Sequence, residues 1–118
     1  MTDPQTVATL YVASWNASPA ERRAAMAPWA PAATYRDPLM AGEGRDGIAA
    51  MMDAAVAQFP GHRFAVAGVP DGHGPFVRFS WTLAPEAGAA VARGTDIVRL
   101  DGDGLIAEVI GFLDGGAA

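Results

Sequence analysis

A hairpin near the C-terminus, residues 91–113, constrains this chain more than any other stretch: VARGTDIVRL, then DGDG, then LIAEVIGFL. Two runs rich in β-branched residues flank an Asp-Gly-Asp-Gly turn, the strongest short-range hairpin signal in the sequence. Successive side chains of a strand point to opposite faces. Ala92, Gly94, Asp96, Val98 and Leu100 therefore share one face of the first run, and Val91, Arg93, Thr95, Ile97 and Arg99 share the other. Asp96 is thus a carboxyl group on the apolar side of a strand. Burial there raises a carboxyl pKa, because the charged form loses solvation. A protonated acid in an apolar pocket can then donate a hydrogen bond to a developing oxyanion. An Asp bonded to backbone at a bulge beside Gly94, or one partnered by an arginine, fits the same pattern.

The second run places Leu105, Ala107, Val109, Gly111 and Leu113 on one face, and Ile106, Glu108, Ile110 and Phe112 on the other. Both faces are largely apolar, whereas an antiparallel sheet with one wet face alternates apolar and polar residues. Helices can cover only one face. The other is expected to pair with a second copy about a two-fold axis, giving a homodimer through the sheet.

Upstream, Asp3 and Pro4 read as N-cap and N1 of a helix on which Val7, Leu10, Tyr11, Ser14 and Trp15 form one buried face. Ser18-Pro19-Ala20-Glu21 has the form of a capping box and predicts a second helix through ERRAAMA, stopped near Pro28. Trp29, in the connection APWAPAA, reads as an anchor into the core. Residues 33–37 predict a short strand ended by Pro38, with Tyr35 and Asp37 on one face. An Asp before Pro often initiates a turn, and it can equally be a base at the edge of a pocket. Residues 42–47 read as a loop into a third helix, 48–59, striped by Ile48, Met51, Met52, Ala55, Val56 and Phe59. Strands follow at 62–69 and 76–83, joined by PDGHGP, and in the second Val77, Phe79, Trp81 and Leu83 share a face. The GGAA tail is expected to be disordered.

The order α-α-β-α-β-β-β-β, in one domain spanning 1–118, predicts an α+β fold with a mostly antiparallel sheet. A strongly curved sheet wrapped around a helix would leave a cavity between them. Phe79, Trp81 and Asp96 would line it from the sheet, and Tyr11, Trp15 and Met52 from the helices. Phe59 and Phe112 are further apolar candidates for its wall, so the expected ligand is small, hydrophobic and partly aromatic or polycyclic.

Several function classes fall away. A net charge of −5 lacks the basic face that nucleic acid requires. The start MTDPQTVATL shows no signal-peptide pattern and no apolar run is long enough to span a bilayer, so a soluble cytoplasmic protein is the expectation. His62 and His73 lack paired ligand spacing, and with no cysteine a metal site is not expected. DGDG lacks the remaining ligands of a calcium loop, and GEGRDG lacks the lysine of a phosphate cradle. No serine has His-Asp company. Tyr11, Asp37 and Asp96 remain, each expected to face the same cavity. An ionised Asp37 could take a proton from carbon next to a carbonyl, while Tyr11 and a protonated Asp96 hold the enolate oxygen, with no cofactor.

The whole chain resembles the nuclear transport factor 2-like (NTF2-like) superfamily, in the branch of SnoaL-like polyketide cyclases and ketosteroid isomerases. YVASWNAS, ATYRDP, GRDGIAAMM and GTDIVRLDGDGLIAEVIGFLD carry the resemblance. It implies a cone-shaped fold with an internal pocket and a dimer through the sheet. It also implies the oxyanion tyrosine at Tyr11, the general base at Asp37 and the protonated acid at Asp96. There are departures. Met52 stands where the isomerases have a supporting tyrosine, and Trp81-Thr82 where the cyclases have a strand histidine. FSWTL lacks the Arg-x-Asp of the superfamily's epoxide hydrolases. A non-catalytic binding domain remains the alternative, with Asp37 and Asp96 expected in salt bridges to Arg36, Arg78 or Arg93.

Overall fold

Asp3 starts α1 (Pro4–Asn16) by accepting from the Thr6 amide at 3.1 Å and the Thr6 hydroxyl at 2.6 Å. The computed structural model describes residues 3–114, and the GGAA tail lies outside them. The buried face of α1 is Val7, Ala8, Tyr11, Val12, Ser14 and Trp15. Leu10, expected on that face, is exposed, because Ala8 and Val12 widen the buried stripe on the side away from it.

α2 (Arg22–Ala25) is a single turn, shorter than the capping box implied. Ser18 Oγ donates to the Glu21 carboxylate at 3.0 Å, so neither side chain caps a backbone amide. Its main contribution is Arg22, which is wholly buried. The guanidinium donates to the carbonyls of Ser14, Trp15 and Ala17 and to Asp53 at 2.8 Å. It thereby satisfies carbonyls that the end of α1 leaves without partners, and ties that end to the next helix.

β1 (Trp29–Arg36) begins at Trp29 rather than at residue 33. The anchoring role expected of Trp29 is met: its ring is wholly buried and stacks on Tyr11 with centroids 5.5 Å apart. Pro31 is tolerated because the pairing register shifts between Trp29 and Thr34. β2 (Ala41–Glu43) forms inside the expected loop, with Gly42 opposite Tyr35, and α3 (Gly44–Val56) starts before Ile48 and ends before Phe59.

The last four strands are β3 (His62–His73), β4 (Phe76–Pro85), β5 (Ala92–Leu100) and β6 (Ile106–Leu113). β3 runs well into the expected connection, past an irregularity between Ala67 and Asp71 where Gly68 takes φ +71°. Such an interruption bends the strand and increases its twist. The sheet order is β2-β1-β6-β5-β4-β3, and among the described residues only β1 and β6 pair in parallel. The fold is the α+β arrangement expected from the sequence.

α1 packs against β3 and β4, and α3 packs against β1 and β2. Asn16 joins helix to sheet, donating to the Phe64 carbonyl at 2.8 Å and accepting from its amide at 2.9 Å. Trp29, Met26, Ile48, Met52, Val98, Ile106 and Val109 are fully buried. Full burial of an aliphatic side chain such as these stabilises by about 1.5–3 kcal/mol. Ile106 corrects the expected alternation in β6. The register slips between Arg99 opposite Glu108 and Leu100 opposite Ile106, which turns Ile106 into the core. No helix among the described residues is long and apolar enough to cross a membrane.

Candidate functional site

The hairpin and β1 assemble the polar floor of the site by register. Asp96 of β5 lies opposite Gly111 of β6, and Arg36 of β1 lies beside Ile110. Asp37 therefore arrives next to Gly111 from the other side. A Cβ on Gly111 would lie 2.9 Å from Asp96 Oδ1 and 3.1 Å from the Asp37 Cβ. Two carboxyl groups from sequence-distant strands thus meet across a residue with no side chain.

They face a cavity of about 160 Å³ lined by Tyr11, Trp15, Tyr35, Asp37, Phe64, Trp81, Leu83 and Asp96, among others. Leu39, Phe59 and Leu113 line it while remaining exposed, which puts an apolar mouth at that end. All three residues of the expected trio are on this surface. Of the six apolar walls expected, Trp15, Phe59 and Trp81 line the cavity. Phe79 does not: it is buried beside Tyr11, ring centroids 5.1 Å apart. Met52 is wholly buried in the core, on a helical face that α3 turns to the sheet rather than to the cavity. Phe112 lies on the opposite side of the sheet, 53% exposed, because its neighbour Gly111 faces the carboxyls.

Asp96 is held by two donors. The Tyr11 hydroxyl donates to Oδ2 at 2.6 Å, and the Trp81 indole N–H donates to Oδ1 at 3.1 Å. Burial raises its pKa to about 6; the two hydrogen bonds pull it down, and the charges of Asp37 and Asp114 push it up. Burial and the adjacent Asp96 carboxyl drive the Tyr11 hydroxyl well above its ordinary value. Asp37 is bound differently. Oδ1 accepts from the amides of Leu39 and Met40 at 2.7 and 2.9 Å, the turn expected of an Asp before Pro. Oδ2 accepts from the Tyr35 hydroxyl at 2.5 Å. Burial, followed by that bond, pushes the Tyr35 hydroxyl far up as well. A carboxylate has about four acceptor positions, so Asp37 keeps one free.

Sequence reasoning gave no role to Tyr35, Gly111 or Phe64. Tyr35 was within reach, since the parity that aims Asp37 at the cavity aims Tyr35 there too. Gly111 carried no signal of its own, because its use depends on which strands become neighbours. Trp81 carries an indole, a group that donates and cannot accept. Its indole crosses the backbone at Gly94, which lies opposite it in register. A Cβ on Gly94 would fall 2.4 Å from Trp81 Cζ2 and 2.5 Å from the Phe112 carbonyl oxygen. Gly94→Ala is expected to lower stability by about 1–3 kcal/mol through overpacking, read as a lower urea midpoint. It should also unseat Trp81, visible as a changed indole emission.

The arrangement combines one carboxyl group fixed at a turn near the mouth, one buried carboxyl raised to about 6, and two tyrosine donors in an apolar cavity. Known proteins place the chain independently. Residues 8–109 match the SnoaL-like domain family. The chain is similar to the crystal structure of a protein from Agrobacterium tumefaciens strain C58, provisionally described as an isomerase of the SnoaL-like family. The two share 52% identity over 98% of this chain and 100% of that one, with a TM-score of 0.92. A SnoaL-like protein of unknown function from Burkholderia thailandensis E264 shares the fold at 13% identity, with TM-score 0.75 over 95% of each chain. An NTF2-like protein of unknown function from an Exiguobacterium species does so at 21% identity, with TM-score 0.71 over 92% of this chain and 98% of that one. No curated protein matches the chain. On the extent of the domain match and the identity to the Agrobacterium protein, the chain belongs to the SnoaL-like family, within the NTF2-like fold.

Proposed function

We propose that this protein catalyses cofactor-independent proton transfer at carbon next to a carbonyl, as an isomerase or aldol-type cyclase acting on a small hydrophobic substrate. The observation that carries the reading is the pair Asp37 and Asp96, set either side of Gly111 on the floor of an apolar cavity. Asp37, with one acceptor position free, takes the proton from carbon. The electron pair moves onto the carbonyl oxygen, where the Tyr11 and Asp96 pair stabilises the enolate. Returning the proton to a different carbon completes an isomerisation; attack of the enolate on a second carbonyl closes a ring, and the alkoxide so formed takes up the proton that Asp37 removed. The Agrobacterium relative's description as an isomerase supports the same class. The binding-domain alternative expected Arg36, Arg78 or Arg93 on these carboxyls. Among the described residues Arg78 instead pairs with Asp71 at 2.8 Å, and no ion pair reaches Asp37 or Asp96.

The volume of about 160 Å³ is close to that of an engineered cavity that accepts benzene. One ring fits inside, and any further ring of the substrate lies at the mouth by Leu39, Phe59 and Leu113. The test is deuterium incorporation from D₂O next to the carbonyl of small cyclic enones, followed by NMR. Exchange catalysed by the wild type and lost in Asp37→Asn supports the assignment; equal exchange by both overturns it.

The reading includes a homodimer in the cytoplasm, joined through the convex face of the sheet. Cross-strand neighbours Ile97 and Ile110, with Phe112 opposite Thr95, form the apolar strip there. Glu108 is not an obstacle, since it pairs with Arg99 of its own chain at 3.1 Å. Light scattering at micromolar concentration should give twice the chain mass, and Ile110→Asp should return it to one. A wild-type monomer would remove the dimer from the proposal.

A further inference from the structure

The hydrogens available around Asp96 can be counted. Tyr11 has one hydroxyl hydrogen and gives it to Asp96 Oδ2. Trp81 has one indole hydrogen and gives it to Oδ1. In this state neither Tyr11 nor Trp81 is free to donate to a ligand oxygen. For Tyr11 to turn its hydrogen into the cavity, something must replace it between the two oxygens. A proton on Asp96 Oδ2 does so, because the acid then donates to the Tyr11 oxygen. Oδ1 is the poorer seat for that proton. It already faces a group that can only donate, and its other flank rests against Gly111, where even a Cβ would come within 2.9 Å.

We propose that, with the carbonyl ligand of the reading above, Tyr11 and Asp96 act in series: Tyr11 offers its hydrogen to a ligand oxygen only when Asp96 carries a proton on Oδ2, and Trp81 is the positioning residue that holds the proton there. The sequence predicts instead two donors, Tyr11 and a protonated Asp96, both holding the ligand oxygen. The series arrangement makes the donor conditional, so that ligand affinity is scaled by the fraction of protein with Asp96 protonated.

The groups facing Asp96 set where that switch lies. Tyr11 comes from α1, Tyr35 from β1 with Asp37 just beyond it, and Asp114 follows β6. β4 contributes Trp81, which does not titrate, and β6 contributes Gly111. The carboxyl is raised to about 6, so the competent form dominates below that pH and is lost above it.

Acetophenone, a single-ring ketone that is neutral throughout, is the probe. Its affinity is measured by NMR titration from about pH 5 to about pH 8, and should fall about tenfold per pH unit above the midpoint. Asp96→Asn supplies the decisive variant. Trp81 requires an acceptor and so orients the amide with its oxygen toward the indole and its NH₂ toward Tyr11. This variant copies the protonated state and should bind strongly with no pH dependence over the same range. Trp81→Phe removes a bond that favours the charged carboxylate, so its midpoint should move to higher pH. Tyr11→Phe should bind weakly at every pH.

A flat wild-type profile would overturn the series arrangement, as would a pH dependence that survives in Asp96→Asn. Tyr11→Phe binding as well as wild type at low pH would overturn it too, because Asp96 would then be donating directly. If acetophenone binds neither the wild type nor Asp96→Asn at any pH, the carbonyl reading itself falls, and the series arrangement with it.

Discussion

Asp37→Asn is expected to slow deuterium exchange next to a carbonyl by about 10²- to 10⁴-fold, the usual contribution of a positioned general base. The substitution is informative because so little else should change. An asparagine side-chain oxygen can still accept from the Leu39 and Met40 amides, which keeps the turn after β1 in place. Only the position of Oδ2 is altered, where an NH₂ group cannot accept from Tyr35 or from carbon. Thermal unfolding should therefore stay close to wild type while exchange collapses. Parallel loss of both would mean that Asp37 serves the turn and nothing more.

Arg22→Met should cost about 3 kcal/mol of folding free energy, measured by urea denaturation. Removing one partner of a buried charge pair typically costs about 3–5 kcal/mol. The lower end applies because Asp53 keeps 31% of its side chain exposed and recovers water when abandoned. The carbonyls of Ser14, Trp15 and Ala17 lose their donor at the same time and remain beneath α2. Arg23 is the control on the same turn. Its contact with Asp46 lies between side chains 54% and 88% exposed, so Arg23→Met should cost at most about 1 kcal/mol. Equal effects at the two positions would show that burial of Arg22 carries no special weight.

What the sequence made legible follows the range of the interactions involved. The Asp-Gly-Asp-Gly turn and the parity of β5 are local, and they place Asp96 on the concave face without knowledge of any other strand. The N-cap at Asp3 and the helical spacing of Tyr11 and Trp15 are local too. Errors gathered where a partner decides. β1 extends back to Trp29 because β6 lies alongside, and Pro31 escapes penalty through a register shift that only the pairing creates. Ile106 turns inward for the same kind of reason, through the irregularity opposite Arg99 and Leu100. Arg22 sits in the run ERRAAMA, which predicts a helix and no partner for its guanidinium, and the three carbonyls it serves are backbone groups that side-chain patterning does not mark. Phe112 is expected at the cavity on its aromatic character, but pairing places Gly111 opposite Asp96 and so turns Phe112, the next residue, to the other face. All three polar residues expected at the cavity line it, whereas only three of the six expected apolar walls do, because chemistry restricts polar residues more tightly than apolar ones.

The parallel pairing of β1 with β6 also bears on how the protein is made. Tyr35 and Asp37 emerge from the ribosome well before β6, the strand that fixes them, is synthesised. Until then β1 has only the three-residue β2 beside it, and a two-stranded pair is marginal in water. The contacts that complete the cavity thus have high sequence separation, as between Thr34 and Glu108, and pay the entropy of closing well over half the chain, which slows folding. A chain arrested before β6 would leave β1 and β5 with open edges, prone to pairing with other copies. The cavity and its two carboxyls come into being together, once β6 has been made and has paired with β1 and β5.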